Sequence, residues 1–262
     1  MLSFRFLPAA FILSVLAACS PDGSGRPVAA NSPTASAAPD TVALRQAGQQ
    51  FRVHYNSPVD LDSTGFYYLP VSVVPLEKAG RSKLFSSGSY DGYENGSGNI
   101  EGTCYNVLFF QKDTGQQRAL LPHGRFVLTE IDAASKPDAR WPYLFYSLIK
   151  ADTNRDGTQD AADASALFVS DRSGQQLHQL TPDGTQLGSR YILPRTSLPR
   201  TSLLLVEVRP DTDRNGQFTH ADGPYWLRFD LRNLRTPPVR QPDLALTEAL
   251  NQQMLRRQSR LK

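Results

Sequence analysis

Two stretches of the chain set oxygen-bearing side chains at a fixed spacing. They are Asp152-Thr153-Asn154-Arg155-Asp156-Gly157-Thr158-Gln159-Asp160-Ala161-Ala162-Asp163 and Asp211-Thr212-Asp213-Arg214-Asn215-Gly216-Gln217-Phe218-Thr219-His220-Ala221-Asp222. Numbered from the first aspartate, both carry Asp at position 1, Asn or Asp at 3 and 5, Gly at 6 and Asp at 12. Alternate residues aim oxygens at one point, Gly lets the chain reverse, and a final carboxylate closes the sphere. Such a set suits a hard dication, which takes roughly 6–8 oxygen ligands. Asp211 follows Asp152 by 59 residues, so the pair is a repeat as well as a motif.

The pattern resembles the calcium loops of EF-hand and dockerin proteins, and that resemblance implies two calcium sites. The first would use Asp152, Asn154, Asp156 and Asp163, with Asp160 at position 9 and the Thr158 carbonyl at position 7. The second would use Asp211, Asp213, Asn215 and Asp222, with Thr219 at position 9 and the Gln217 carbonyl at position 7. The first loop carries more carboxylate and is expected to bind more tightly. Asp at position 12 is shorter than the usual Glu, so the backbone must come closer to the ion. Affinities of about 10⁻⁴–10⁻³ M are common in extracellular modules and suit a structural staple. The competing reading of both loops is a pair of solvated Asx-turns that bind nothing.

The repeat extends beyond the loops. Leu108-Phe-Phe-Gln-Lys-Asp-Thr-Gly115-Gln-Gln117 lies 59 residues before Leu167-Phe-Val-Ser-Asp-Arg-Ser-Gly174-Gln-Gln176, and Trp226 to Asn233 is a weaker third copy. A degenerate acidic loop, Tyr93 to Cys104, keeps Asn95 and Gly98 but lacks the first and last carboxylates. Segments flanking the loops, Tyr143–Ile149, Ala166–Ser170, Ser202–Val208 and Pro224–Phe229, are short and rich in strand formers. Phe66 to Val74, Phe126 to Ile131 and Gln175 to Leu180 read as further strands. The loops therefore join strands, and a paired-helix EF-hand domain is not expected. The predicted fold is mainly β: antiparallel repeats in about three blade-like units, partially propeller-like, closed by a helix at residues 242–262. The run Leu167 to Gly184, with Ser-Asp-Arg-Ser-Gly followed by Leu180-Thr181, resembles the repeats of TolB-type β-propellers. Three units are too few for a closed propeller, which typically has about four to eight blades.

Arg5, the apolar Leu7–Leu16 and Leu16-Ala17-Ala18-Cys19 resemble the leader and lipobox of bacterial lipoproteins. That resemblance implies cleavage after residue 18, lipidation of Cys19, and attachment to the cell envelope. Ser20 at the next position implies the outer membrane, facing periplasm or cell surface. Residues 19–49 are rich in Ser, Pro, Ala and Gly and read as a flexible tether. Residues 50–241 form the repeat domain. Lipidation of Cys19 would leave Cys104 without a disulfide partner.

Catalytic signatures are absent: no Gly-x-Ser-x-Gly elbow, no His-Glu-x-x-His helix and no Cys-x-x-Cys pair occur. The four histidines (His54, His123, His178 and His220) are dispersed. A net charge of +3 with scattered basic residues gives no nucleic-acid footprint, and the basic C-terminus suits a helix end. The leading expectation is a non-catalytic, calcium-stabilised binding or scaffold module with a protein or glycan ligand. The alternatives are an exported glycan hydrolase and a TolB-like accessory of an envelope complex.

Overall fold

The computed structural model describes residues 41–76, 100–133, 142–194 and 202–260. The leader, Cys19, and residues 93–99 of the degenerate loop lie outside them. The described chain is mainly β, and every strand pairing is antiparallel.

In chain order the elements begin with α1 (Thr41–Gln50), β1 (Phe51–Tyr55), β2 (Val59–Asp60), β3 (Phe66–Pro75), β4 (Thr103–Gln111) and β5 (Gln117–Ala119). Next come β6 (Val127–Ala133), β7 (Tyr143–Ile149), β8 (Ser165–Asp171) and β9 (His178–Gln179). The last group is β10 (Thr185–Pro194), β11 (Ser202–Pro210), β12 (Tyr225–Asp230), β13 (Val239–Gln241) and α2 (Leu244–Ser259).

One sheet runs β1-β3-β4-β6-β7-β8-β9, with β2 on β3 and β5 on β4; the second runs β10-β11-β12-β13. The larger sheet is thin at one point, because β4 and β6 share only the pair Cys104↔Leu128. The strands therefore fall into three runs of four antiparallel neighbours: β1-β3-β4-β5, β6-β7-β8-β9 and β10-β11-β12-β13. We refer to them as the first, middle and last meanders. Among the described residues they form no closed barrel or propeller.

Successive strand side chains point to opposite faces, and the middle meander uses both. Leu144, Tyr146, Leu148, Ala166 and Phe168 join one core with Tyr68, Val107 and Phe109 of the first meander. Phe145, Leu167 and Val169 join another with Leu204, Val206, Val208, Leu227 and Phe229 of the last. This double covering explains why Leu144 to Ile149 is a continuous buried run rather than an alternating one. Each buried Leu, Ile, Val or Phe among them contributes about 1.5–3 kcal/mol through burial.

The 59-residue offset holds through β7, β11 and both acidic loops, then slips by one. In β8, Leu167 pairs with Ser147, whereas in β12 the residue opposite Val206 is Leu227. The extra residue lies in the connection Gly223-Pro224 after the second loop. Trp226, aligned with Leu167 by sequence, therefore leaves the core and meets Tyr191 on the outward face, ring centroids 5.6 Å apart.

One further departure from expectation concerns the start of the domain, while the helix expected at its end is present. Residues 41–49, read as tether, are helical in α1. Ala, Leu, Arg and Gln are strong helix formers, and in Thr41–Gln50 they outweigh one Gly. The helix at the C-terminus is present as α2, capped by the Asp243 carboxylate accepting from the Leu246 N–H at 2.8 Å. No residue of α2 is buried.

Candidate metal centre

Each acidic loop joins an antiparallel pair: the first links β7 to β8 and the second β11 to β12. Their backbones share an unusual signature. Position 4 is left-handed in both, at φ 61° for Arg155 and 59° for Arg214. Position 6 follows suit at φ 90° for Gly157 and 77° for Gly216, where Gly carries no steric penalty.

The same hydrogen bonds recur in both loops. The position-6 N–H donates to the position-1 carboxylate: Gly157 to Asp152 at 2.9 Å, Gly216 to Asp211 at 3.0 Å. The position-5 N–H donates to position 3: Asp156 to Asn154 at 2.9 Å, Asn215 to Asp213 at 3.2 Å. The position-7 N–H donates to position 5: Thr158 to Asp156 at 2.8 Å, Gln217 to Asn215 at 2.6 Å. At position 12, one carboxylate oxygen accepts from the position-2 threonine N–H: Thr153 to Asp163 at 2.6 Å, Thr212 to Asp222 at 3.0 Å. The other oxygen accepts from position 9: Asp160 N–H to Asp163 at 3.0 Å, Thr219 N–H to Asp222 at 2.9 Å.

Thr153 and Thr212 support these carboxylates, and the ligand pattern alone does not single them out. Their hydroxyls also donate to Asp163 and Asp222, so each threonine grips the closing carboxylate twice. The available signal was the shared Asp-Thr at both loop starts.

The closing carboxylates are buried, Asp163 at 3% exposure and Asp222 at 2%. Burial pushes Asp163 up, but the N–H groups of Asp160, Asn154 and Thr153 and the Thr153 hydroxyl outweigh it and hold it below the usual range. The Thr212 hydroxyl, with the Thr219 and Thr212 N–H groups, brings Asp222 down to about 2. The Thr158 hydroxyl and N–H, with the Asn154 amide, lower exposed Asp156. All three carboxylates are thereby held ionised at neutral pH, which suits coordination and opposes general-acid chemistry.

The loops differ in what they gather. Carboxylate oxygens of Asp211, Asp213 and Asp222 lie within 4.8 Å of one another. Two oxygens sharing a calcium ion at about 2.3–2.6 Å can be at most about 4.6–5.2 Å apart, so the spacing fits one ion. Among the described residues no ion pair neutralises this triad. The first loop does not gather three acids in this way. Its position 3 is neutral Asn154, whose amide donates to Asp156 at 3.0 Å, and its Asp160 accepts from the Ala162 N–H at 2.8 Å. It does leave one orphan, the buried Asp152 Oδ1, which has no hydrogen-bond partner. Of the two loops, the donor set of the second is the one gathered closely enough to hold a metal ion.

The two loops touch. A Cβ added to Gly216 would lie 2.1 Å from the Thr153 carbonyl oxygen, so the turn of the second loop rests on the backbone of the first.

Beside the first loop, which lends it Ala161 and Asp163, a cleft of about 460 Å³ opens against β6, β7 and β10. Its Glu130 is paired bidentately with Arg190, at 2.6 and 3.0 Å, and receives the Ser147 hydroxyl at 3.0 Å. Burial raises the Glu130 carboxyl, but Arg190 and Ser147 bring it below its ordinary value. That direction is opposite to what a general acid needs. The histidines occupy separate settings: His54 lies 3.5 Å from Glu101, His123 edges onto Phe126, and His178 Nδ1 meets the Gln176 carbonyl at 2.8 Å.

No protein-family model, curated protein or solved structure matches this chain.

Proposed function

We propose that the chain is a lipid-anchored cell-envelope protein whose calcium-stabilised β-domain serves as a non-catalytic binding or scaffold module. The observation that carries this reading is the second acidic loop, where Asp211, Asp213 and Asp222 converge within 4.8 Å with no compensating ion pair among the described residues. Three clustered carboxylates repel one another, and a bound dication converts that repulsion into attraction. The first loop repeats the same internal hydrogen bonds and leaves Asp152 Oδ1 unpartnered, which supports a second calcium there.

The Leu16-Ala17-Ala18-Cys19 motif supports lipidation at Cys19 and outer-membrane attachment, on either the periplasmic or the external face. The shared strand order of the meanders supports three blade-like units in a partial, open, propeller-like array. Calcium holds the connections of the middle and last units, and the ligand of the module is a protein or glycan of the envelope, not a nucleic acid.

Calorimetric titration of the chelator-treated full chain tests this, with magnesium as the control. Two calcium ions bound in preference to magnesium are expected. A folded protein that takes up no calcium refutes the proposal.

A further inference from the structure

We propose that Asn215 is a site of covalent modification: when the second acidic loop opens, its side chain cyclises on the Gly216 nitrogen and hydrolyses to an acid. The inference needs no metal in the loop and rests on what the loop's hydrogen bonds restrain. Asn-Gly occurs twice in the chain, at Asn95-Gly96 outside the described residues and at Asn215-Gly216. Glycine has no Cβ to shield its nitrogen from the preceding side chain, and nucleophile and amide belong to one chain, so the attack is intramolecular. Asn215 is itself exposed to water.

The reaction balances with water as its co-reactant. The Gly216 nitrogen bonds to the Asn215 Cγ, the Cγ–Nδ2 bond breaks, and the Gly216 amide proton leaves with the amine as ammonia. Water then opens the cyclic imide. Breaking the new Cγ–N bond leaves aspartate, whereas breaking the original backbone C–N bond leaves isoaspartate. Nothing is oxidised or reduced.

The closed loop engages every polar atom that this reaction uses. The Gly216 N–H donates to Asp211 Oδ2 at 3.0 Å, and the Asn215 N–H donates to Asp211 Oδ1 at 3.1 Å. Asn215 Oδ1 accepts from the Gln217 N–H at 2.6 Å, and its Nδ2 donates to Asp213 Oδ2 at 2.8 Å. Cyclisation must turn the Asn215 side chain and the Gly216 peptide toward each other, which breaks the bonds on both. Opening the loop is therefore the gate, and it does not require the whole domain to unfold. Each bond holds its groups by roughly a factor of two to ten, so the three on Gly216 N–H, Oδ1 and Nδ2 together suppress the reaction about tenfold or more.

The product matters because of where it lies. Aspartate adds a fourth carboxylate beside Asp211, Asp213 and Asp222, and matches Asp156 at position 5 of the first loop. Isoaspartate lengthens the main chain by one carbon between Arg214 and Gly216, both left-handed at φ 59° and 77°. The loop cannot then re-form all of its bonds. Position 5 of the first loop is already an acid with no amine to lose, so of the two loops only the second changes in this way.

The test incubates the full chain in chelator at mildly alkaline pH, folded or unfolded in urea. Peptide mapping by mass spectrometry follows Asn215 separately from Asn95. Conversion at Asn215 should be about tenfold or more slower in the folded protein than in urea. Asp211→Ala releases both the Gly216 and the Asn215 N–H groups and should speed conversion in the folded protein several-fold. Equal rates in folded and unfolded parent, or no conversion in urea, overturn the proposal, and this comparison decides the matter even if Asp211→Ala does not fold. A folded Asp211→Ala protein that converts no faster than the parent overturns it as well.

Discussion

Exchanging one residue between the two acidic loops separates electrostatic strain from metal binding. Asp213→Asn gives the second loop the residue found at Asn154 in the first, removing one member of the triad. Asp211 and Asp213 carry oxygens within 4.8 Å. Unit charges at that distance repel by about 0.9 kcal/mol even at the dielectric of water. Without calcium, the variant should therefore melt higher than the parent, by about 2–4 °C for each kcal/mol in a domain of this size. With calcium the order should reverse. For a dissociation constant of about 10⁻⁴–10⁻³ M, about 10 mM calcium stabilises by roughly 1.4–2.7 kcal/mol per site. That raises the parent's melting temperature by about 3–11 °C per occupied site. Asp213→Asn should lose the second loop's share, and Asn154→Asp should enlarge the first loop's share. Differential scanning calorimetry in calcium and in chelator measures all three proteins. If the parent melts at one temperature in both conditions, the triad is not a calcium site and the reasoning fails.

The contact between the loops makes a sharp pair of glycine variants. Gly216→Ala needs a left-handed Ala and drives a methyl onto the Thr153 carbonyl, while Gly157→Ala meets open space. The second should cost only the conformational term, about 1–2 kcal/mol, and the first clearly more by denaturant unfolding. The pH dependence has a definite sign, because Asp222 is depressed from 3.8 to about 2. The stability it contributes is complete above its unfolded value and is lost as pH falls through about 2. Thermal melts of calcium-free protein across this range should flatten in Asp222→Asn. Cys104 is 3% exposed, and burial pushes its thiol up to about 11. It should resist a thiol reagent in the native protein at neutral pH and react fully after unfolding; rapid native labelling would contradict its placement in the core.

What the sequence disclosed is what local chemistry dictates. Strands β3, β7, β8, β11 and β12 were legible because β-branched and aromatic runs end at Gly, Pro and Asp clusters. The loops were legible because their ligand spacing is contiguous. β10 was not, since a register shift between Leu187 and Arg190 breaks its alternation at Gly188-Ser189. α1 was hidden behind the Ser- and Pro-rich segment preceding it. The sequence also ranked the first loop above the second by counting acids. Three-dimensional convergence favours the second instead, because position 3 is Asp213 there and neutral Asn154 in the first. Counting could not reveal that Asp160 turns to its own backbone. Which sheet face meets which was similarly out of reach. It depends on the one-residue slip after the second loop, which sends Leu227 inward and Trp226 outward.

The shorter acid at position 12 follows from the elements that carry the loops. The ends of each loop leave paired strands: Ile149 faces Ser165, and Val208 faces Tyr225. Opposed residues of antiparallel strands have Cα atoms about 4.5–5.5 Å apart, so positions 1 and 12 start close together. An Asp then spans the gap that would otherwise call for a Glu. The position-2 threonine holds that Asp from one side and the position-9 N–H from the other. Because these bonds lie within the loop, the flanks need only deliver two nearby ends, and strands do so as well as helices. The ligand pattern can therefore be written into a β-repeat without helices, and its recurrence at the same offset as the strands follows from the repeat itself.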